Sequence, residues 1–138
     1  MKYINKNLSI EGVKAKDLAK KFSTPIYCYS HKQLKENIGN FKKNFRTFNP
    51  LICFAVKSNT NVSLIREIGK LGLGADVVSK GELMMALKAG IDSKKIVFSG
   101  VGKTSTEITY AIEKKILLIN AESKSEIIEI EKIAKYKK

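Results

Sequence analysis

The chain has 138 residues, with no tryptophan, two cysteines, two prolines and a single histidine. A structural zinc site needs a full set of Cys and His ligands at characteristic spacings, and with His31 as the only histidine we expect no metal site. Cys28 and Cys53 each lie in a short apolar run, which is typical of buried, reduced thiols rather than of a disulfide framework.

Long hydrophobic runs are also missing. No apolar stretch approaches the roughly 18 residues that a membrane-spanning helix requires. The polar segment Met1–Asn7 lacks the apolar region of a signal peptide. We therefore expect a cytoplasmic protein with no membrane partner. With 43% hydrophobic residues, the chain can still build the core of one domain, or of part of a larger one.

Negative charge is scarce, because 26 Lys and Arg residues face 13 Asp and Glu residues and leave a net charge of +13. A charge of this size could serve nucleic-acid binding. However, arginine, the preferred base-reading residue, occurs only at Arg46 and Arg66, and the lysines are spread along the whole chain. We expect no specific nucleic-acid partner, and a basic nucleic-acid-binding domain stays open as an alternative.

What the chain does have is a repeat of short apolar runs, each followed by an amphipathic segment. The predicted strands are Leu51–Val56, Ala75–Val78, Ile96–Ser99 and Ile116–Asn120. The residues that close them, Lys57, Val78, Ser99 and Asn120, are 21 positions apart. This spacing leaves room for one helix between strands, as in a parallel βα sheet. We predict an α/β fold that forms the N-terminal half of a (β/α)8 TIM-type barrel with parallel strands.

Helix starts carry a repeated capping pattern, a hydroxyl residue followed three positions later by Glu or Gln. The pattern begins at Ser30, Ser79, Thr104 and Ser123. Three of these positions closely follow a predicted strand, which supports the βα repeat. We therefore assign Ser79 and Glu82 to helix capping rather than to chemistry.

One apparent phosphate-binding motif is excluded. The segment Gly-Val-Gly-Lys-Thr at 100–104 resembles the end of a P-loop. That motif needs a glycine five positions before the glycine that precedes the lysine, where this chain has Val97 inside a predicted strand. The loop is too short to wrap a phosphate chain.

Lys57 ends the first apolar run abruptly, and Ser58 and Asn59 follow it. Side-chain alternation along a strand would place Lys57 on the same face as the small residues Ala55 and Cys53. A partly desolvated amine loses proton affinity and becomes nucleophilic, so Lys57 is a candidate catalytic residue. From this segment alone, a lysine that simply extends from a strand end into solvent is the favoured interpretation.

Several segments together carry a family resemblance. They are Thr-Pro-Ile-Tyr at 24–27, Phe-Ala-Val-Lys-Ser-Asn at 54–59, Gly-Leu-Gly-Ala-Asp-Val-Val-Ser-Lys-Gly-Glu-Leu at 72–83, Ile-Val-Phe-Ser-Gly-Val-Gly-Lys-Thr at 96–104 and Asn-Ala-Glu-Ser at 120–123. In this order they resemble the diaminopimelate decarboxylases, which are pyridoxal-phosphate enzymes built on the alanine-racemase-like (fold-type III) barrel. The resemblance covers nearly the whole chain.

The resemblance implies a site and a reaction. The lysine that matches Lys57 forms an internal aldimine with pyridoxal 5′-phosphate at the carboxyl-terminal mouth of the barrel. The cofactor then serves as electron sink for decarboxylation of meso-2,6-diaminopimelate to L-lysine. Asp76, in the next strand, would lie close to the cofactor, and a carboxylate that only accepts from loop amides is the equal alternative. An ornithine- or arginine-type decarboxylase, or a non-catalytic cofactor-binding half barrel, are the alternative functions.

The resemblance also implies how the chain is organised. Residues 1–30 would form a lead-in of short strands and a helix that packs on a separate β domain. Residues 31–138 would form a partial pyridoxal-phosphate-binding barrel that ends after the fourth βα unit. Family members are considerably longer and are expected to be homodimers, so we expect the 138-residue chain alone to be inactive. We assign Tyr27, Tyr29, Met84 and Met85 to the core rather than to the site.

Overall fold

A computed structural model describes residues 1–136 and divides the chain into two compact units, Met1–Asn49 and a second that begins at Pro50. Each unit has its own sheet, with three strands in the first and four in the second. Within residues 1–136, no helix is long and apolar enough to cross a membrane.

The first unit is a small antiparallel sheet followed by two helices. Its elements are β1 (Lys2–Ile4), β2 (Asn7–Ile10), β3 (Val13–Lys14), α1 (Ala15–Phe22) and α2 (His31–Asn44). Ser30 caps α2, since its Oγ accepts from the Gln33 amide at 3.0 Å. The Glu11 carboxylate joins the β2–β3 turn to the same helix start, accepting from Ser30 Oγ at 2.6 Å and from the Lys32 amide at 2.7 Å.

The sequence of Thr24–Tyr29, an apolar run opened by proline, predicts a strand, but the segment does not form one. It joins neither of the two sheets, so its backbone has no ladder partner within the described residues. The assignment of Tyr27 and Tyr29 to the core is also wrong, because their side chains are 88% and 62% exposed. The apolar pattern was present, but a strand also needs a neighbouring strand to pair with and a second layer to cover it.

The second unit is the βα repeat that the spacing predicts. Its elements are β4 (Cys53–Ala55), α3 (Val62–Lys70), β5 (Gly74–Val77), α4 (Lys80–Lys88), β6 (Ile96–Phe98), α5 (Ser105–Glu113), β7 (Leu118–Ile119) and α6 (Lys124–Tyr136). The four strands pair in parallel in the order β4-β5-β6-β7. A parallel sheet of four βα units confirms the predicted partial barrel.

The first predicted strand is shorter than expected. Leu51–Val56 contributes only β4, and a 3-10 turn, Val56–Ser58, follows at once. Ser58 Oγ donates to the Ala55 carbonyl at 2.7 Å and the Asn59 amide to the Val56 carbonyl at 3.0 Å, and these bonds curl the chain at the strand end. Lys57 therefore lies in the turn, and the predicted alternation that places it on a face with Ala55 and Cys53 does not apply.

The two faces of the parallel sheet differ in burial. Phe54, Ala75, Val77, Ile96, Phe98 and Ile119 pack in one core with residues of the helices, among them Ile65, Leu83, Ala86 and Ala111. Cys53, Ala55, Gly74, Asp76, Val97 and Leu118 occupy the alternate positions of the strands. This second set, here called the inner face, is less buried, and Leu118 is 50% exposed.

Other residues assigned to the core from sequence also lie near the surface. Met84 and Met85 are 50% and 36% exposed, because α4 turns Leu83 and Ala86 inward instead. Both cysteines are free thiols, as predicted, but each is only partly buried.

The capping pattern is confirmed at all four predicted positions. Thr104 forms a complete capping box with Glu107. Glu82 and Glu126 reach one residue further back, and accept from the amides of Val78 at 2.9 Å and of Glu122 at 2.7 Å. Glu107 also accepts from the Lys80 amide at 3.0 Å, so it connects the start of α5 to the start of α4.

Candidate active site

The carboxyl ends of the four parallel strands meet at one edge of the sheet, here called the carboxyl edge. Lys57 follows β4, Asp76 lies near the end of β5, and Ser99 and Asn120 directly follow β6 and β7. Main-chain pairing continues to these ends, since the Ser99 amide donates to the Val77 carbonyl at 2.8 Å and the Asn120 amide to the Phe98 carbonyl at 2.9 Å. This is the edge at which βα barrels carry their chemistry.

Lys57 is exposed at this edge, on a turn with many local hydrogen bonds. Beyond Ser58, the Asn59 side chain accepts from the Asn61 amide at 3.0 Å. Asn61 in turn caps α3, with its Oδ1 accepting from the Ser63 amide at 2.9 Å. The loop that carries Lys57 is thus anchored to β4 on one side and to α3 on the other, which limits where the amine can lie.

Asp76 lies on the inner face, opposite Ala55 in one neighbouring strand and Val97 in the other. Its Oδ1 atom is buried and has no hydrogen-bond partner within the described residues. A buried carboxylate oxygen without a partner is unfavourable and uncommon in folded proteins. The loop amides that sequence analysis offered as the alternative partners do not reach this oxygen.

Cys53 lies on the same face, beside Asp76. Burial raises the pKa of the Cys53 thiol, and the Asp76 charge raises it further. The thiol donates to the Lys95 carbonyl over 3.7 Å. Cys53 is therefore a neutral, poorly nucleophilic group, and Lys57 is the stronger candidate nucleophile of this strand.

A buried ion pair supports the other half of the edge, and sequence analysis missed it. Lys103 Nζ donates to the Asn120 carbonyl at 2.6 Å and to both carboxylate oxygens of Glu126 at 3.1 Å. The side chains of Lys103 and Glu126 are only 1% and 9% exposed. The lysine of the excluded phosphate-loop motif is thus engaged by other groups, and the capping position of Glu126 was the only sequence signal of the pair.

The pKa of Glu126 is lowered, first by the Glu122 amide that it accepts from and then by Lys103. The pKa of Glu107 is lowered as well, by the amides of Lys80 and Thr104. Hydrogen bonds to the charged form of a carboxylate stabilise that form, so both glutamates stay ionised near neutral pH.

Comparison with known proteins places the chain in a family. Residues 31–138 match the family described as "Pyridoxal-dependent decarboxylase, pyridoxal binding domain". The chain is 46% identical over 134 residues to the diaminopimelate decarboxylase of Aquifex aeolicus, a match that covers 97% of this chain and 31% of that protein. It is 44% identical over 127 residues to the diaminopimelate decarboxylase of Neisseria meningitidis, covering 92% of this chain and 31% of that protein.

A solved structure agrees with the sequence matches. The diaminopimelate decarboxylase of M. jannaschii, crystallised in complex with L-lysine, superposes with a TM-score of 0.95 at 39% identity and covers 98% of this chain and 32% of that one. The chain therefore spans about a third of the length of the relatives that it matches. Since the family match extends over residues 31–138, from α2 onwards, the chain belongs to the pyridoxal-dependent decarboxylases and contains residues of their pyridoxal binding domain.

Proposed function

We propose that this chain is the N-terminal part of an enzyme that decarboxylates meso-2,6-diaminopimelate to L-lysine. The observation that carries the proposal is that two groups lie at the same edge of the sheet. An exposed amine, Lys57, follows β4, and a buried carboxylate oxygen, Asp76 Oδ1, which has no partner within residues 1–136, lies on the adjacent strand β5. The sequence identity to diaminopimelate decarboxylases supports this substrate over ornithine or arginine.

Lys57 is proposed as the residue that holds the cofactor. Pyridoxal 5′-phosphate, when bound, supplies the electron sink that allows an amino acid to lose its carboxylate as CO2. Lys57 Nζ is the amine that would hold the cofactor at its aldehyde group. The anchored loop limits where this amine can lie, which would restrict how the group is held.

Asp76 is proposed as the residue that orients and tunes the bound group. Its Oδ1 can accept hydrogen bonds, and none of the described residues supplies one. The neighbouring positions Cys53, Ala55 and Gly74 are small, and Val97 lies opposite on β6. A group with a hydrogen-bond donor would satisfy this buried oxygen.

We further propose that residues 1–138 do not suffice for turnover. The inner face of the parallel sheet is open, and the relatives are about three times as long. Residues 1–30 are proposed to pack on a separate β domain, and the intact enzyme to work as a cytoplasmic homodimer. Turnover of meso-diaminopimelate by the 138-residue chain at about 10 per second, a typical enzyme rate, would contradict this part.

The assignment of Lys57 is tested by trapping. The protein is mixed with pyridoxal phosphate, reduced with borohydride, digested and mapped by mass spectrometry. We expect the pyridoxyl group on Lys57. An adduct on Lys80 or Lys103 instead, or an even spread over the exposed lysines, would overturn the assignment.

A matched pair of variants separates chemistry from folding. Lys57→Ala should abolish the trapped adduct and leave the melting temperature unchanged, since the side chain is exposed. Lys70→Ala is the control, because Lys70 is an exposed lysine whose partner is Glu67 on the same helix. It should keep the adduct on Lys57. The substrate is then tested in the protein at its natural length, where faster release of CO2 from ornithine or arginine than from meso-diaminopimelate would favour the alternative decarboxylases.

A further inference from the structure

Lys103 is the most deeply buried charged residue within residues 1–136, and neither the proposed chemistry nor the helix caps require it. It lies in the β6–α5 loop. Its Nζ contacts three other segments, namely the Asn120 carbonyl at the end of β7, the Glu126 carboxylate at the start of α6, and the face of Phe98, whose ring centroid is 5.8 Å away. One ammonium thus connects the ends of two strands and the start of a helix.

The ammonium holds the backbone carbonyl of Asn120, and the side chain of Asn120 lies at the carboxyl edge. Asn120 Nδ2 donates to Ser99 Oγ at 2.9 Å, so the side chains that follow β6 and β7 are bonded to each other. Ser99 and Asn120 directly follow their strands, and Lys57 is the second residue after β4, so all three lie at the same edge of the sheet. The position of the Asn120 amide depends on its backbone, and Lys103 holds that backbone at the carbonyl.

Stability alone is a weak explanation for this arrangement. Desolvating an ammonium and a carboxylate is costly, and replacing a buried ion pair by well-packed apolar residues is often neutral or stabilising. A buried pair with three directional contacts does, however, specify where its partners lie. Two contacts of Lys103, with the Asn120 carbonyl and with the Phe98 ring, link the end of β7 to β6, and the third ties the start of α6 to the same point.

We propose that Lys103 is a positioning residue, which keeps the side-chain amide of Asn120 hydrogen-bonded to Ser99. The part of the carboxyl edge formed by the ends of β6 and β7 is then preformed for the group that Lys57 holds. This inference rests on the proposed function in one respect, that this edge receives pyridoxal phosphate. The placement of Asn120 by Lys103 is independent of it.

The test is a double-mutant cycle on cofactor affinity, in the protein at its natural length. Lys103→Met and Asn120→Ala should each raise the dissociation constant of pyridoxal phosphate by about 2- to 30-fold, the range that coupled networks of side chains carry. The double variant should bind pyridoxal phosphate no more weakly than the single variant with the lower affinity, because both substitutions remove the same placement of the Asn120 amide. Its melting temperature should still fall by as much as that of Lys103→Met.

Two further variants distinguish positioning from a general loss of packing. Lys103→Arg keeps the charge and several donors, and we expect it to restore most of the affinity. Lys94→Met removes an exposed lysine at the opposite end of β6, and should leave both affinity and melting temperature unchanged. A Lys103→Met protein that melts earlier but binds pyridoxal phosphate as tightly as wild type would overturn the proposal, and so would additive effects in the double variant.

If the wild-type protein binds no pyridoxal phosphate, the proposed function is refuted but the placement of Asn120 by Lys103 is not. A second measurement tests that placement directly. Solvent exchange of the Asn120 side-chain amide is followed by NMR in wild type and Lys103→Met. Faster exchange in the variant supports the placement of Asn120 by Lys103. Unchanged exchange shows that Asn120 stays on Ser99 without the ammonium, and the inference is then wrong.

Discussion

The two units of this chain differ sharply in what they bury. Every buried hydrophobic residue within the described part of the chain lies in the second unit, from Val56 to Ala111. In Met1–Asn49, all of which the structure describes, only Ser9 is buried, and α1 and α2 bury no residue. Tyr27, Phe41 and Phe48 are 88%, 49% and 79% exposed. Composition alone does not show this difference, because both units are rich in apolar residues.

The difference follows from layering. In the second unit β4, β5 and β6 are each followed by a helix with buried residues, so strands and helices cover each other. In the first unit the two helices bury no residue, although its strands, at two to four residues each, are as long as those of the second unit. Since burial of apolar area is the dominant favourable term in folding, we expect the free energy of unfolding to reside mainly in the second unit.

The largest expected effect comes from a large-to-small substitution, made separately in each unit. Phe98→Ala should lower the free energy of unfolding of the second unit by about 3–5 kcal/mol, because it leaves a cavity in a closed core. Phe41→Ala should cost about 1 kcal/mol or less in the first unit, since that ring is half exposed and stacks on Phe45 at 4.6 Å. Amide hydrogen exchange measures the two units separately. Equal losses in the two units would contradict the comparison.

The same difference explains which sequence predictions hold. The 21-residue repeat predicts the parallel strands of the second unit because each apolar run there has a neighbouring strand and a covering helix. The segment Thr24–Tyr29 has a comparable apolar pattern, but it joins neither sheet. An apolar pattern indicates which side chains of a segment could be buried. Whether they are buried depends on the strands and helices that surround the segment in the fold.

The candidate site shows the same limit at the level of single residues. Lys57 is a candidate from its place at the end of an apolar run, but that segment alone favours a lysine extending into solvent, and the proposed roles of Lys57 and Asp76 come from the resemblance. The turn at Val56–Ser58 could not be predicted, because it depends on the hydrogen bond from Ser58 to Ala55 at the end of the strand. The pair of Lys103 and Glu126 joins residues 23 positions apart, and the capping pattern indicates the position of Glu126 but not its partner.

A second pair of substitutions tests how closely the interior of each unit is packed, and the expected effect is smaller. Gly74 begins β5, and a Cβ added there would lie 2.0 Å from the Lys95 carbonyl oxygen and 3.0 Å from Cys53 Sγ. Gly74→Ala should therefore destabilise the second unit by about 1–3 kcal/mol through overpacking. Urea unfolding of the variant measures the loss.

Gly39→Ala is the matched change in the first unit. Gly39 lies inside α2, and a Cβ there would meet nothing within 4 Å. Alanine should stabilise the helix by about 0.5–1 kcal/mol, because glycine loses more backbone freedom on folding. A destabilising Gly39→Ala would show that α2 has a close neighbour, and the contrast between an open first unit and a closed second one would fail.

The smallest expected effect is the response of the two units to acid. In the first unit the pKa of Glu11 is lowered from its ordinary 4.5, first by the Ser30 hydroxyl and then by the Lys32 amide. In the second unit Glu126 and Glu107 are lowered from the same value, chiefly by the amides of Glu122 and Lys80.

A carboxylate whose folded pKa lies below its unfolded pKa stabilises the fold above the unfolded value, and this stabilisation is lost as pH falls through the folded one. Both units should thus weaken below about pH 4.5, the second through two carboxylates and the first through one. Glu126→Gln should flatten the pH dependence of the second unit alone, and Glu11→Gln that of the first alone. Hydrogen exchange of each unit at neutral and acid pH measures both slopes. If Glu126→Gln left the second unit's slope unchanged, the contacts that Glu126 makes with Glu122 and Lys103 would not contribute to its stability, and the buried pair would have only the positioning role inferred above.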